Sequence, residues 1–124
     1  MKPKSLLEIG HYSQEWVKNF YTQAGIWWGP DPQELGVHET RVKTIERLCG
    51  PGMKRILELG AGPGATAAAM ADAGHSVVAV ELSPTRAQYA RELAIFPRQG
   101  ILDVLEADFY TVNLDQHFDV ICCW

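Results

Sequence analysis

Three carboxylates and a run of alternate glycines carry the chemistry of this sequence. Glu58 stands two residues ahead of Gly60, and Gly62 and Gly64 follow, giving Glu58-Leu59-Gly60-Ala61-Gly62-Pro63-Gly64. Glycines at this spacing let a backbone turn tightly and approach a ligand more closely than any side chain allows. Glu81 closes the apolar run Ser76-Val77-Val78-Ala79-Val80, and Asp108 follows the run Leu102–Glu106. Carboxylates beyond the ends of strands accept hydrogen bonds from hydroxyl and amino groups, so the set suits a ligand with ribose hydroxyls or amines.

Positioning these residues requires strands that end where they stand. Arg55–Leu59 reads as a short buried strand running into the glycine turn, and an alanine-rich helix, Gly64–Ala73, follows and stops at Gly74. Backbone N–H groups of such a turn and the helix N-terminus surround a place to hold a ligand. A second strand spans Ser76–Val80. Ser83 then caps a helix with Pro84 in its first turn that runs to about Phe96, ahead of Pro97. Third and fourth strands cover Leu102–Glu106 and Phe118–Cys123. The strands are almost continuously apolar, as in a parallel sheet covered by helices on both faces. Strand–helix alternation of these lengths predicts an α/β, Rossmann-like three-layer sandwich with a parallel sheet of order 3-2-1-4.

Two helices precede this core. The first starts at Ser13, with Trp16, Val17, Phe20, Tyr21 and Ala24 at helical spacing, and ends at Gly25. The second runs from Val37 to Cys49, with Val42, Ile45, Leu48 and Cys49 as its apolar stripe and Gly50-Pro51 as its stop. Residues 1–52 thus form a helical cap segment and residues 53–124 the cofactor-binding core, within a single domain. Between the two helices, Trp27 and Trp28 lie in a Gly/Pro loop, where packing explains aromatics less easily than it explains Trp16 or Phe20.

Composition bounds the class. The 124 residues are 47% hydrophobic and 21% charged, ordinary for one soluble globular domain. No apolar run approaches the ~20 residues that span a bilayer, and the N-terminus lacks the apolar core of a secretory signal. Three cysteines, Cys49 and the adjacent pair Cys122-Cys123, do not make a disulfide framework. They read as buried reduced thiols of a cytoplasmic protein. No Cys/His spacing suggests a metal, and a net charge of −4 argues against a nucleic-acid partner.

Two cofactors fit the turn. Gly60–Ala65 satisfies the dinucleotide pattern G-x-G-x-x-G/A. Counting from Glu58, the same residues read E-x-G-x-G-x-G, and here the chain resembles the class I S-adenosylmethionine-dependent methyltransferases over about Lys54 to Trp124. Glu58–Gly64, Val80-Glu81-Leu82-Ser83, Glu106-Ala107-Asp108-Phe109 and Phe118-Asp119-Val120-Ile121, in that order, carry the resemblance. A pyrophosphate is disfavoured near Glu58, whereas a sulfonium and an ammonium group suit Glu58, Glu81 and Asp108.

The resemblance implies S-adenosylmethionine as cofactor, with Gly60, Ala61, Gly62 and Gly64 forming the turn around it. It implies Glu58 near the methionine end, Glu81 on the ribose hydroxyls with Leu82 beside it, Asp108 at the adenine amino group and Phe109 at the ring edge. Tyr12 would contact the methionine moiety, and Trp27 and Trp28 would line an acceptor pocket or close over the cofactor; Tyr21 and His38 are the other acceptor-side candidates, with helix core and a satisfied surface histidine as their plainer readings. The implied reaction is direct methyl transfer to a small-molecule or protein acceptor, with no catalytic residue assigned. Such folds have seven strands, so the chain reads as truncated after its fourth, whose open edge invites pairing with a second copy. The alternatives are an NAD(P)-dependent oxidoreductase domain and a non-catalytic cofactor-binding fragment. Two of the acids also have plainer roles: Glu58 as ion-pair partner of Arg55 or Lys54, and Asp108 as a turn residue or helix N-cap.

Overall fold

The computed structural model describes residues 35–124. Helix α1 spans Leu35–Cys49 and precedes strand β1, Arg55–Leu59. Helix α2 (Ala65–Asp72) connects β1 to β2 (Ser76–Glu81), and helix α3 (Pro84–Ala94) connects β2 to β3 (Ile101–Glu106). Residues 107–119 then lead, without helix or strand, to β4 (Val120–Cys122). The four strands form one parallel sheet of order β3-β2-β1-β4, as the strand–helix alternation predicts. Glu58 pairs in register with Ala79 on one side and Cys122 on the other, so the carboxylate stands at the sheet's centre.

Side chains alternate across the pleat. Ile56, Val77, Ala79 and Leu102 point to the face covered by helices, where they pack with Ala67, Ala68, Met70 and Ala71 of α2 and with Val42 and Ile45 of α1. The small residues of α2 let it lie close on the sheet. Leu57, Val78 and Val80 point to the opposite face and pack against Leu59, Ala107, Leu114 and Phe118. Among the described residues that face carries no helix, and Ile101, Leu105 and Ile121 remain exposed there.

Three expectations change at the edges. The inward stripe of α1 is not Val42, Ile45, Leu48 and Cys49: Leu48 is 72% exposed and Cys49 is exposed, because the last turn of the helix faces solvent. The thiols are free but not buried, with Cys123 exposed and Cys122 half-buried. Strand β4 is shorter than Phe118–Cys123, because Asp119 is diverted to anchor its start. The Asp119 carboxylate accepts from the Arg55 N–H (2.8 Å), and the Asp119 N–H donates to the Arg55 carbonyl (2.8 Å). The first N-terminal helix, Tyr12, Trp27 and Trp28 lie outside the described residues.

Candidate functional site

The three glycines of the turn have three different surroundings. Gly60, Gly62 and Gly64 have φ of 69°, 60° and 90°, in the left-handed region that side chains disfavour. A Cβ on Gly60 would meet nothing within 4 Å, so this is where bare backbone faces open space and a ligand can approach. A Cβ on Gly62 would stand 3.6 Å from Arg86 Nη1 of α3. A Cβ on Gly64 would stand 2.8 Å from the Ala90 Cβ. Gly64 therefore serves the close packing of α2 on α3, where the spacing pattern alone assigned it to the ligand.

The amides of the turn are already committed. Gly60 and Ala61 N–H both donate to the Val80 carbonyl (2.9 and 3.0 Å), and Gly64 N–H donates to the Ala61 carbonyl (3.2 Å). Gly62 N–H donates to Glu81 Oε2 at 2.6 Å, and Pro63 has none to give. A pyrophosphate would find no free donor within residues 60–64 and a carboxylate in their midst. This geometry fits the dinucleotide reading poorly.

Glu81 is the last residue of β2, 6% exposed, with both oxygens engaged. Oε2 takes the Gly62 N–H, and Oε1 takes the Ser83 N–H at 3.0 Å. Each oxygen keeps a second lone pair, so the carboxylate can hold the turn and still accept from a vicinal diol. Ser83 caps α3 as expected, its Oγ accepting from the Arg86 N–H (3.4 Å), with Pro84 following. Leu82 between them is half-buried.

Glu58 is 3% exposed, and its Oε2 has no hydrogen-bond partner. Burial pushes its carboxyl up from 4.5 to about 8, with Arg41 opposing and Glu81 adding to the rise. Neither Arg55 nor Lys54 pairs with it: Arg55 Nη2 reaches Gln116 (3.5 Å), and Lys54 Nζ donates to the Pro51 carbonyl (3.0 Å). The cation beside Glu58 is Arg41 of α1. Its Nη1 donates to Thr66 Oγ1 at 2.8 Å, and its guanidinium lies 5.3 Å from the Trp124 ring centroid. His38 Nδ1 meets the same Thr66 hydroxyl at 2.7 Å. The Cys122 thiol, next to Glu58 in register, is pushed up to about 12 by burial and then by the Glu58 charge, which makes it a poor nucleophile.

Sequence reasoning missed Arg41, Thr66 and Trp124. One signal was present: His38, Arg41, Val42 and Ile45 fall at i, i+3, i+4 and i+7, the inward stripe of α1. An imidazole and a guanidinium on such a stripe point to a polar site beneath it.

Asp108 and Phe109 follow β3, and this segment is tied to β2 by the Ala107 N–H donating to the Glu81 carbonyl (3.0 Å). Asp108 Oδ1 accepts from the Tyr110 N–H (2.9 Å), and its carbonyl accepts from Thr111 and Val112 (3.1 and 2.8 Å). It is thus a turn residue beyond the C-terminal end of β3, on the side of the sheet toward which β1 and β2 carry Glu58 and Glu81. The Phe109 ring is 41% exposed, 4.7 Å from that of Tyr110. Among the described residues no His/Cys/Asp/Glu group could hold a metal, and no helix is long and apolar enough to cross a membrane.

Comparison with known proteins follows the same line. Residues 56–124 match the profile of a family described as a methyltransferase domain. The ubiquinone biosynthesis O-methyltransferase of Thiobacillus denitrificans is 28% identical over 112 residues, covering 86% of this chain and 48% of that protein. Its mitochondrial namesake of Schizosaccharomyces pombe is 32% identical over 117 residues, covering 86% and 42%. The chain thus spans about half the length of the curated relatives it matches. A glycopeptide N-methyltransferase solved with S-adenosyl-L-homocysteine is 26% identical with a TM-score of 0.59, covering 68% of this chain and 37% of that one.

Proposed function

This chain belongs to the methyltransferase domain family, and from that premise we propose that it binds S-adenosylmethionine at the glycine turn and serves methyl transfer to a small-molecule acceptor. The observation that carries the reading is open backbone at Gly60, with the unpartnered Glu58 Oε2 buried two residues before it and Arg41 tied to Thr66 two residues after Gly64. An amino-acid zwitterion needs an anion for its ammonium and a cation for its carboxylate; Glu58 would supply the first by giving up its proton as the ammonium arrives, and Arg41 the second. Glu81 would take the ribose hydroxyls, with Leu82 beside them. Asp108 and Phe109, beyond the C-terminal end of β3, would meet the adenine. Tyr12 is proposed at the methionine moiety, and Trp27 and Trp28 on the acceptor side.

The cofactor, when bound, supplies a methyl group already activated by its sulfonium. The chain's own contribution is then to hold the donor, orient it toward the acceptor and exclude water. The curated relatives are O-methyltransferases by name, which favours a hydroxyl of a small molecule as the acceptor, in a protein working in the cytoplasm.

Calorimetric titration tests the cofactor assignment. S-adenosylhomocysteine should bind and NADH should give no heat of binding. NADH binding without a response to S-adenosylhomocysteine would overturn the assignment in favour of an oxidoreductase domain. Transfer of a labelled methyl group to a panel of hydroxyl- and amine-bearing small molecules tests the acceptor, and labelling confined to amines would overturn the hydroxyl assignment.

A further inference from the structure

We propose that Thr66 is a positioning residue whose hydroxyl holds the Arg41 guanidinium at the glycine turn, where it can meet the carboxylate end of the cofactor. The inference rests on the cofactor reading above and extends it to a residue that touches no ligand itself.

The geometry is specific. Thr66 stands in the first turn of α2 and is 3% exposed. The other buried residues of that helix are Ala67, Ala68, Met70 and Ala71, so one hydroxyl sits in an otherwise apolar surface. A buried hydroxyl is costly unless bonded, and this one is bonded twice, both times to α1. It accepts from Arg41 Nη1 at 2.8 Å. Its second contact is with His38 Nδ1, 2.7 Å away.

Arg41 needs such an anchor. It belongs to a helix that precedes the sheet, and its long side chain would otherwise sample many rotamers. Thr66 fixes one side of the guanidinium fork, and the Trp124 ring lies under it at 5.3 Å. The remaining donors of the fork stay available for a planar carboxylate. A valine keeps nearly the same volume at position 66 and removes the hydroxyl; a serine keeps the hydroxyl and removes a methyl.

The test compares two ligands on the full-length chain. S-adenosylhomocysteine carries the amino-acid end, whereas 5′-methylthioadenosine shares the nucleoside and lacks that end. Thr66→Val should weaken S-adenosylhomocysteine by roughly tenfold or more, the size expected when a hydrogen bond to a charged group is lost. It should leave 5′-methylthioadenosine unchanged, and Thr66→Ser should restore the first ligand. Equal loss of both ligands, or failure of serine to rescue, would assign Thr66 to packing and overturn the inference. So would a Thr66→Val protein that binds S-adenosylhomocysteine like the parent. A parent chain that binds 5′-methylthioadenosine and S-adenosylhomocysteine equally overturns it by removing any role for Arg41. A parent that binds neither overturns the cofactor reading as well.

Discussion

Replacing Glu58 with glutamine isolates the electrostatic cost of the site. The buried carboxyl is raised from 4.5 to about 8, first by burial and then by Glu81, against the pull of Arg41. A raised acid holds its proton in the folded state at pH values where the unfolded chain has released it. The folded state therefore binds more protons across this window, and stability falls as pH rises from about 4.5 toward about 8. At about 1.4 kcal/mol per pH unit, the full displacement corresponds to a ceiling of about 5 kcal/mol. That is a large share of the ~5–15 kcal/mol that holds a domain of this size together. Glutamine has the same shape and does not titrate. Urea unfolding of parent and Glu58→Gln proteins at about pH 5 and about pH 8.5 measures the difference. Other titrating groups cancel in that difference. The variant should gain several kcal/mol relative to the parent between the two pH values. A difference that stays constant with pH would refute the reasoning, because it would mean that Glu58 ionises as freely folded as unfolded.

Other substitutions probe the scaffold around it. Glu81→Ala removes the acceptor for both the Gly62 and Ser83 N–H groups, so S-adenosylhomocysteine affinity should fall by more than about tenfold; unchanged affinity in a calorimetric titration would remove Glu81 from the site. Gly64→Ala places a Cβ 2.8 Å from the Ala90 Cβ at a φ of 90°, and thermal melting should report a loss of about 2–4 kcal/mol. Gly100→Ala drives a Cβ into the His75 carbonyl and to 2.7 Å from the Ala71 carbonyl. Backbone must move there, so this protein should unfold at a clearly lower denaturant concentration than Gly64→Ala, and a parent-like midpoint would contradict the close approach.

The sheet order and the ends of its strands are legible in the sequence because local signals agree. The apolar runs mark strands, Gly74 and Pro97 mark stops, and short crossovers leave few ways to arrange a parallel sheet. Glu58, Gly60 and Glu81 could be placed because each sits at a fixed offset from a strand end. Arg41 and Thr66 could not. They lie 25 residues apart, and their meeting depends on how α1 leans on α2, a matter of side-chain packing with no sequence period of its own. Apolarity alone runs the stripe of α1 through Leu48 and Cys49, yet the contact with α2 buries Val42 and Ile45 and leaves His38 and Arg41 half-buried against Thr66 instead. The separate duties of the glycines were equally hidden, since one spacing serves an open approach at Gly60 and a tight helix contact at Gly64.

The committed amides of the turn also bear on the thermodynamics of association. A loop that orders only around its ligand must give up about 1–2 kcal/mol of conformational entropy for each residue fixed. Here Val80, Glu81 and Ala61 already hold the turn, with Gly60, Gly62 and Gly64 in the left-handed conformations it needs. That entropy is spent during folding. A cofactor arriving at Gly60 meets a finished surface, and its binding energy is left for the groups it touches.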